Sequence, residues 1–101
     1  MVARVTREKA TAALDQIVRF LDLLGVDPPS PPRLEEETDV RSGAPLWQIH
    51  VRTAPEDTQS GPEFDKAAAA IKQIEKLGRD LGFRPASSVL FTILVGDRTE
   101  S

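Results

Sequence analysis

Apolar and polar positions alternate along this chain with two different periods, and the change of period marks its elements. Ala10, Leu14, Ile17, Leu21 and Leu24 recur at helical spacing, so the pattern predicts a helix from about Thr6 to Leu24. Thr6 is the expected N-cap, with Glu8 in the first turn facing the positive end of the helix dipole. Gly25 supplies a left-handed residue past the end, and Val26 is expected to fold back on Leu21. The stretch Asp27–Pro32 holds four prolines in six residues and reads as a stiff, extended connector.

The period then shortens to two. From Arg33 to Val40 the chain alternates weakly, since Glu35, Glu36, Glu37 and Asp39 are poor strand formers. Arg41–Pro45 is a turn. Leu46–Thr53 alternates cleanly, with Trp47, Ile49 and Val51 on one face and Gln48, His50 and Arg52 on the other. These two segments predict an antiparallel hairpin. Ser60 and Glu63 have the spacing of a capping box around Pro62. Phe64, Ala67, Ala68, Ile71, Ile74, Leu77 and Leu81 then form an apolar stripe over five turns. Gly82 reads as a second left-handed cap with Phe83 packing back on Leu77. Ser88–Val95 is almost wholly apolar, which predicts an interior strand, or one covered on both faces. Gly96–Ser101 reads as a flexible polar tail.

These elements predict an α+β fold: a two-layer α/β sandwich of order α-β-β-α-β, with a three-stranded sheet covered by two helices. Its expected centre is Trp47, Ile49, Val51, Phe91, Ile93, Ile71, Ile74 and Leu77. A length of 101 residues predicts one small domain, with 27–32 as connector and 96–101 as tail. If the last strand lay parallel to Leu46–Thr53, the crossover through the second helix would be right-handed.

Composition narrows the function classes. The chain has no cysteine and a single histidine, so disulfides, thiolate metal sites and a histidine-pair zinc site are excluded. Its formal net charge is −3, which disfavours phosphate backbones, and no G-x-x-G loop sits between helices; nucleic acid is not an expected partner. No apolar run reaches membrane-spanning length, and no secretory signal pattern opens the chain. The expectation is a cytoplasmic protein that does not engage membranes. Nine arginines against four lysines, with eight prolines, give it the composition of a GC-rich bacterial genome.

Candidate chemistry is sparse. Glu35, Glu36, Glu37 and Asp39 lack the glycine-punctuated spacing of a calcium loop and read as a charged edge strand. Ser42, Ser87 and Ser88 have no nucleophile-elbow context, and nothing pairs His50 with any of them. No phosphate-binding glycine loop is present. The expectation is therefore a non-enzymatic interaction or assembly module, without cofactor or metal. It would associate with a protein partner or with itself as a homodimer. The first helix is apolar around more than half its girth, which makes Phe20 and Leu23 the candidate interface; an open sheet edge is the other candidate. The competing expectation is a small-ligand or catalytic face built from Gln48, His50 and Arg52, three side chains on one side of a strand.

Overall fold

A computed structural model of the chain describes residues 5–98. Helix α1 spans Arg7–Leu23, strands β1 and β2 span Arg33–Thr38 and Pro45–Arg52, and helix α2 spans Pro62–Asp80. Two strands follow, β3 at Arg84–Ser87 and β4 at Phe91–Asp97. The sheet has four strands in the order β1-β2-β4-β3, and every neighbouring pair is antiparallel.

The architecture is α+β as expected, but the three-stranded sheet and the order α-β-β-α-β are corrected. The additional strand is β3, whose sequence Arg84-Pro85-Ala86-Ser87 carries no β-branched residue and includes a proline. Proline is tolerated there because β3 is an edge strand. After α2 the chain runs up this edge and then turns back as β4 into the place beside β2. β2 and β4 are therefore antiparallel, and the condition for a parallel crossover between them is not met. The interior position expected for the last strand is found, shifted to begin at Phe91. Gly96 and Asp97 belong to β4, and Arg98 bridges Val5; the remaining tail residues, 99–101, lie outside the described part.

Both helices end as their sequences predict. Gly25 and Gly82 have φ of 71° and 94°. At each end two backbone bonds close the last turn: Gly25 N–H to Asp22 O and Val26 N–H to Leu21 O, then Gly82 N–H to Arg79 O and Phe83 N–H to Gly78 O. Around a Cβ placed at Gly82 nothing lies within 4 Å, so the cost of a side chain there is the backbone conformation alone. Gly82→Val is expected to cost about 1 kcal/mol or more, read as a melting temperature lower by roughly 4–8 °C. Thr6 caps α1 by accepting from Lys9 N–H at 3.2 Å. At α2 the expected Ser60 cap is corrected: Gly61 occupies the N-cap position at φ 100° and contributes no side-chain bond. The β1–β2 turn is closed by Asp39, whose carboxylate accepts from Arg41 N–H at 2.9 Å. That bond, foremost, holds the Asp39 carboxyl below its ordinary pKa.

Both helices pack on one face of the sheet. Ala10, Ala13, Ile17 and Leu21 of α1 and Ile74 of α2 share one buried cluster with Trp47, Ile49, Val51, Phe83 and Leu94. A smaller cluster of Ala54, Ala67 and Leu90, with Phe64 against it, closes the start of α2. Thr53, just past β2, donates its buried hydroxyl to Ala67 O of α2 at 2.9 Å.

Of the expected centre, Trp47, Ile49, Val51, Ile71 and Ile74 are buried, whereas Leu77 is half-buried. Phe91 and Ile93 are corrected. The register sets Val51 against Thr92, Ile49 against Leu94 and Trp47 against Gly96, so the inward residues of β4 are Thr92, Leu94 and Gly96. Phe91, Ile93 and Val95 point the other way.

Candidate functional site

Among the described residues, the outward face of the sheet brings together the candidate polar residues Gln48, His50 and Arg52. Alternation and register lay its side chains on a grid. Arg33, His50, Ile93 and Ala86 form one row across the four strands. Glu35, Gln48, Val95 and Arg84 form the next. Arg52 and Phe91 stand above these rows; Glu37, Leu46 and Asp97 stand below. Read along the strands, β4 presents an apolar column of Phe91, Ile93 and Val95, and β2 presents a polar column of Arg52, His50 and Gln48.

The polar side chains hold one another. His50 Nε2 lies 3.2 Å from Gln48 Oε1 and 3.3 Å from Glu35 Oε2. Both neighbours are acceptors as placed, which assigns the ring hydrogen to Nε2. Arg33 Nε pairs with the other oxygen of Glu35 at 2.8 Å. The Arg52 guanidinium lies over the Phe91 ring, 5.1 Å from its centre, and reaches Glu56 at 3.6 Å. Arg84 and Asp97 approach to 3.5 Å at the opposite corner.

Gln48, His50 and Arg52 thus share one face, as the alternation predicts. A recess of about 190 Å³ near one end of β2 is lined by His50 and Arg52, and also by Arg33, Phe91, Ser30 and Pro31; Gln48 is not part of its wall. Arg33 was not legible as a site residue, because its place opposite His50 follows from the β1–β2 register and from nothing local. The apolar column was missed for a different reason. A strand apolar at every position reads as covered on both sides, and here the two helices cover only one.

The helix candidates divide. Phe20 is half-buried and packs against the main cluster, while Leu23 is 82% exposed. The apolar girth of α1 is thus largely absorbed by the core on the Phe20 side. Of the acidic run, Glu36 lies on the inward side and pairs with Arg7 and Arg98, and Glu35 pairs with Arg33 and His50. Among the described residues no cluster of side chains is arranged to hold a metal ion. No helix among them is long and apolar enough to cross a membrane. No family model, curated protein or solved structure matches the chain.

Proposed function

We propose that this chain is a non-enzymatic protein-interaction module whose binding surface is the outward face of its sheet. One observation carries the reading: β4 is apolar on both faces, and both helices lie on the same one. Near-continuous apolar strands are the mark of sheets covered on both faces, and this antiparallel sheet is covered by its own helices on one. Phe91, Ile93 and Val95 are half-buried beneath their polar neighbours, so they form a band that a partner completes, framed by charge at both ends. That is the anatomy of an interface, an apolar centre with a polar rim. It moves the interaction reading from the first helix to the sheet, because Phe20 already serves the core.

A photo-reactive phenylalanine analogue in place of Phe91, in cells that make this chain, tests the reading. The expected result is a covalent protein adduct from that position and none from Lys72, which is exposed on α2. Equal labelling from both positions, or none from position 91, overturns it.

A second reading rests on the recess beside His50. Arg33 and Arg52 flank it and Phe91 forms part of its wall, a combination suited to a small carboxylate with an apolar body. Its openness to solvent and the carboxylates already paired with both arginines weigh against it.

A further inference from the structure

The outward face is matched to itself, and we infer that the partner it fits is a second copy of this chain, packed sheet to sheet about a two-fold axis. The inference rests on the interaction reading above and names its partner.

A two-fold axis between two facing sheets lies in the plane of contact. It runs either along the strands or across them. An axis along the strands exchanges the β2 and β4 columns. It sets His50 and Gln48 of one copy against Ile93 and Val95 of the other, burying polar groups against apolar ones without partners. An axis across the strands keeps each column on itself and reverses its direction. Placed between the two central rows of the grid, it sets Ile93 against Val95 of the second copy. The apolar columns of β4 then cover each other.

The same rotation matches the polar groups. His50 faces Gln48 of the other copy; its Nε2–H is engaged within its own chain, which leaves Nδ1 to accept from the Gln48 amide nitrogen across the contact. Arg33 faces Glu35, whose two oxygens meet Arg33 and His50 of its own chain; each carboxylate oxygen has a second lone pair, and one of these takes the guanidinium across the contact. The corner holding Arg52 comes over the end of the face that carries Glu37, Leu46 and Asp97. In strict register Arg52 lies over Leu46 and Phe91 over Asp97, so Arg52 reaches diagonally to Glu37 or Asp97 on either side of Leu46, and the two central rows carry the match.

The size of the face sets the strength. Four strands span about 19 Å and the seven residues of β4 about 24 Å, and β1 and β3 are shorter, so the two copies together cover at most roughly 900 Å². That lies below the standard range of stable interfaces and predicts a weak, reversible dimer. Aligned packing places the two sheets about 10 Å apart, with a crossing near −30°.

Sedimentation equilibrium of the full chain between about 5 and 500 μM reads this directly. The expected result is a monomer–dimer equilibrium that stops at two. Ile93→Asp, on the outward face, is expected to shift it at least about tenfold toward monomer with the circular dichroism unchanged. Arg33→Glu, at the exposed rim, weakens it, and adding Glu35→Arg to that variant restores it; this pair carries the test if Ile93→Asp fails to fold. The chain has no cysteine of its own, so orientation is read by oxidation. Ile93→Cys mixed with Val95→Cys should form a covalent dimer faster than Ile93→Cys mixed with His50→Cys. The reverse order overturns the across-strand axis. A wild-type chain that stays monomeric to the highest concentration, or a dimer indifferent to Ile93→Asp and Arg33→Glu, overturns the proposal. A monomer that still yields adducts from position 91 to a different protein keeps the interaction reading, whereas a monomer without adducts removes both.

Discussion

Trp47→Ala is expected to lower the unfolding free energy by about 3–5 kcal/mol, the largest single loss in this fold. The ring is 2% exposed and belongs to the main buried cluster. Three independent losses coincide there. The first is packing, since truncating a buried aromatic leaves a cavity that its rigid neighbours cannot fill. The second is a buried hydrogen bond: Trp47 Nε1–H donates to Val5 O at 2.9 Å, and without it that carbonyl is stranded. The third is electrostatic. Arg7 and Arg98 hold their guanidiniums 5.2 and 5.7 Å from the ring centre, and both pair with Glu36 beside it. Arg98 Nε is buried without a hydrogen-bond partner among the described residues, and its guanidinium lies over the ring. Equilibrium unfolding in urea reads the loss, and the melting temperature should fall by roughly 15–30 °C. Trp47→Phe separates the contributions. It keeps most of the ring and removes the donor, so it should cost about 1–3 kcal/mol. A Trp47→Ala protein as stable as wild type would mean that the Val5–Arg98 end of the domain contributes nothing to its core.

Why Trp47 was legible as core and Ile93 was misplaced follows from the strands that carry them. In β2 each apolar residue is separated by a polar one, so the sequence itself says which face is inward, and Trp47, Ile49 and Val51 are all buried. In β4, Phe91-Thr92-Ile93-Leu94-Val95 offers no such contrast. The buried member that betrays the parity is Thr92, a residue that sequence reasoning places outside. Its hydroxyl meets the Ser87 hydroxyl at 2.6 Å, and that partner sits on β3, the strand with no strand signal. Tertiary pairing overrides local preference at both places. The helices were legible because caps and stripes are local: Thr6, Gly25 and Gly82 take the roles their positions predict. The outward polar residues Gln48, His50 and Arg52 were legible by alternation alone. Arg33 and the apolar column were not, because each depends on which strand lies beside which. The face on which the interaction reading rests is therefore a product of register more than of any motif.

Gly78→Ala should destabilise the protein by about 1–3 kcal/mol, opposite in sign to what a helix position predicts. Gly78 sits inside α2, where alanine is favoured over glycine by about 1 kcal/mol. It is buried, and a Cβ placed on it would stand 2.6 Å from Leu94 Cδ2 and 3.0 Å from Leu94 Cδ1. The end of a leucine side chain can ordinarily rotate away. Here Leu94 is fully buried on β4, opposite Ile49 and within the main cluster, and a dense core leaves it no free rotamer. The helix must then lift off the sheet, and Gly78 also takes part in closing the end of α2, since its carbonyl accepts from Phe83 N–H at 2.8 Å. A shift there propagates to Phe83, which is itself buried. Overpacking should therefore exceed the gain in helix propensity. The double variant Gly78→Ala with Leu94→Val provides the internal control, because shortening Leu94 makes room for the new methyl. Its loss should be smaller than the sum of the two single losses, by about 0.5 kcal/mol or more. Strict additivity in urea unfolding would show that the two positions do not touch and that α2 rests on the sheet through Ile74 rather than through this glycine.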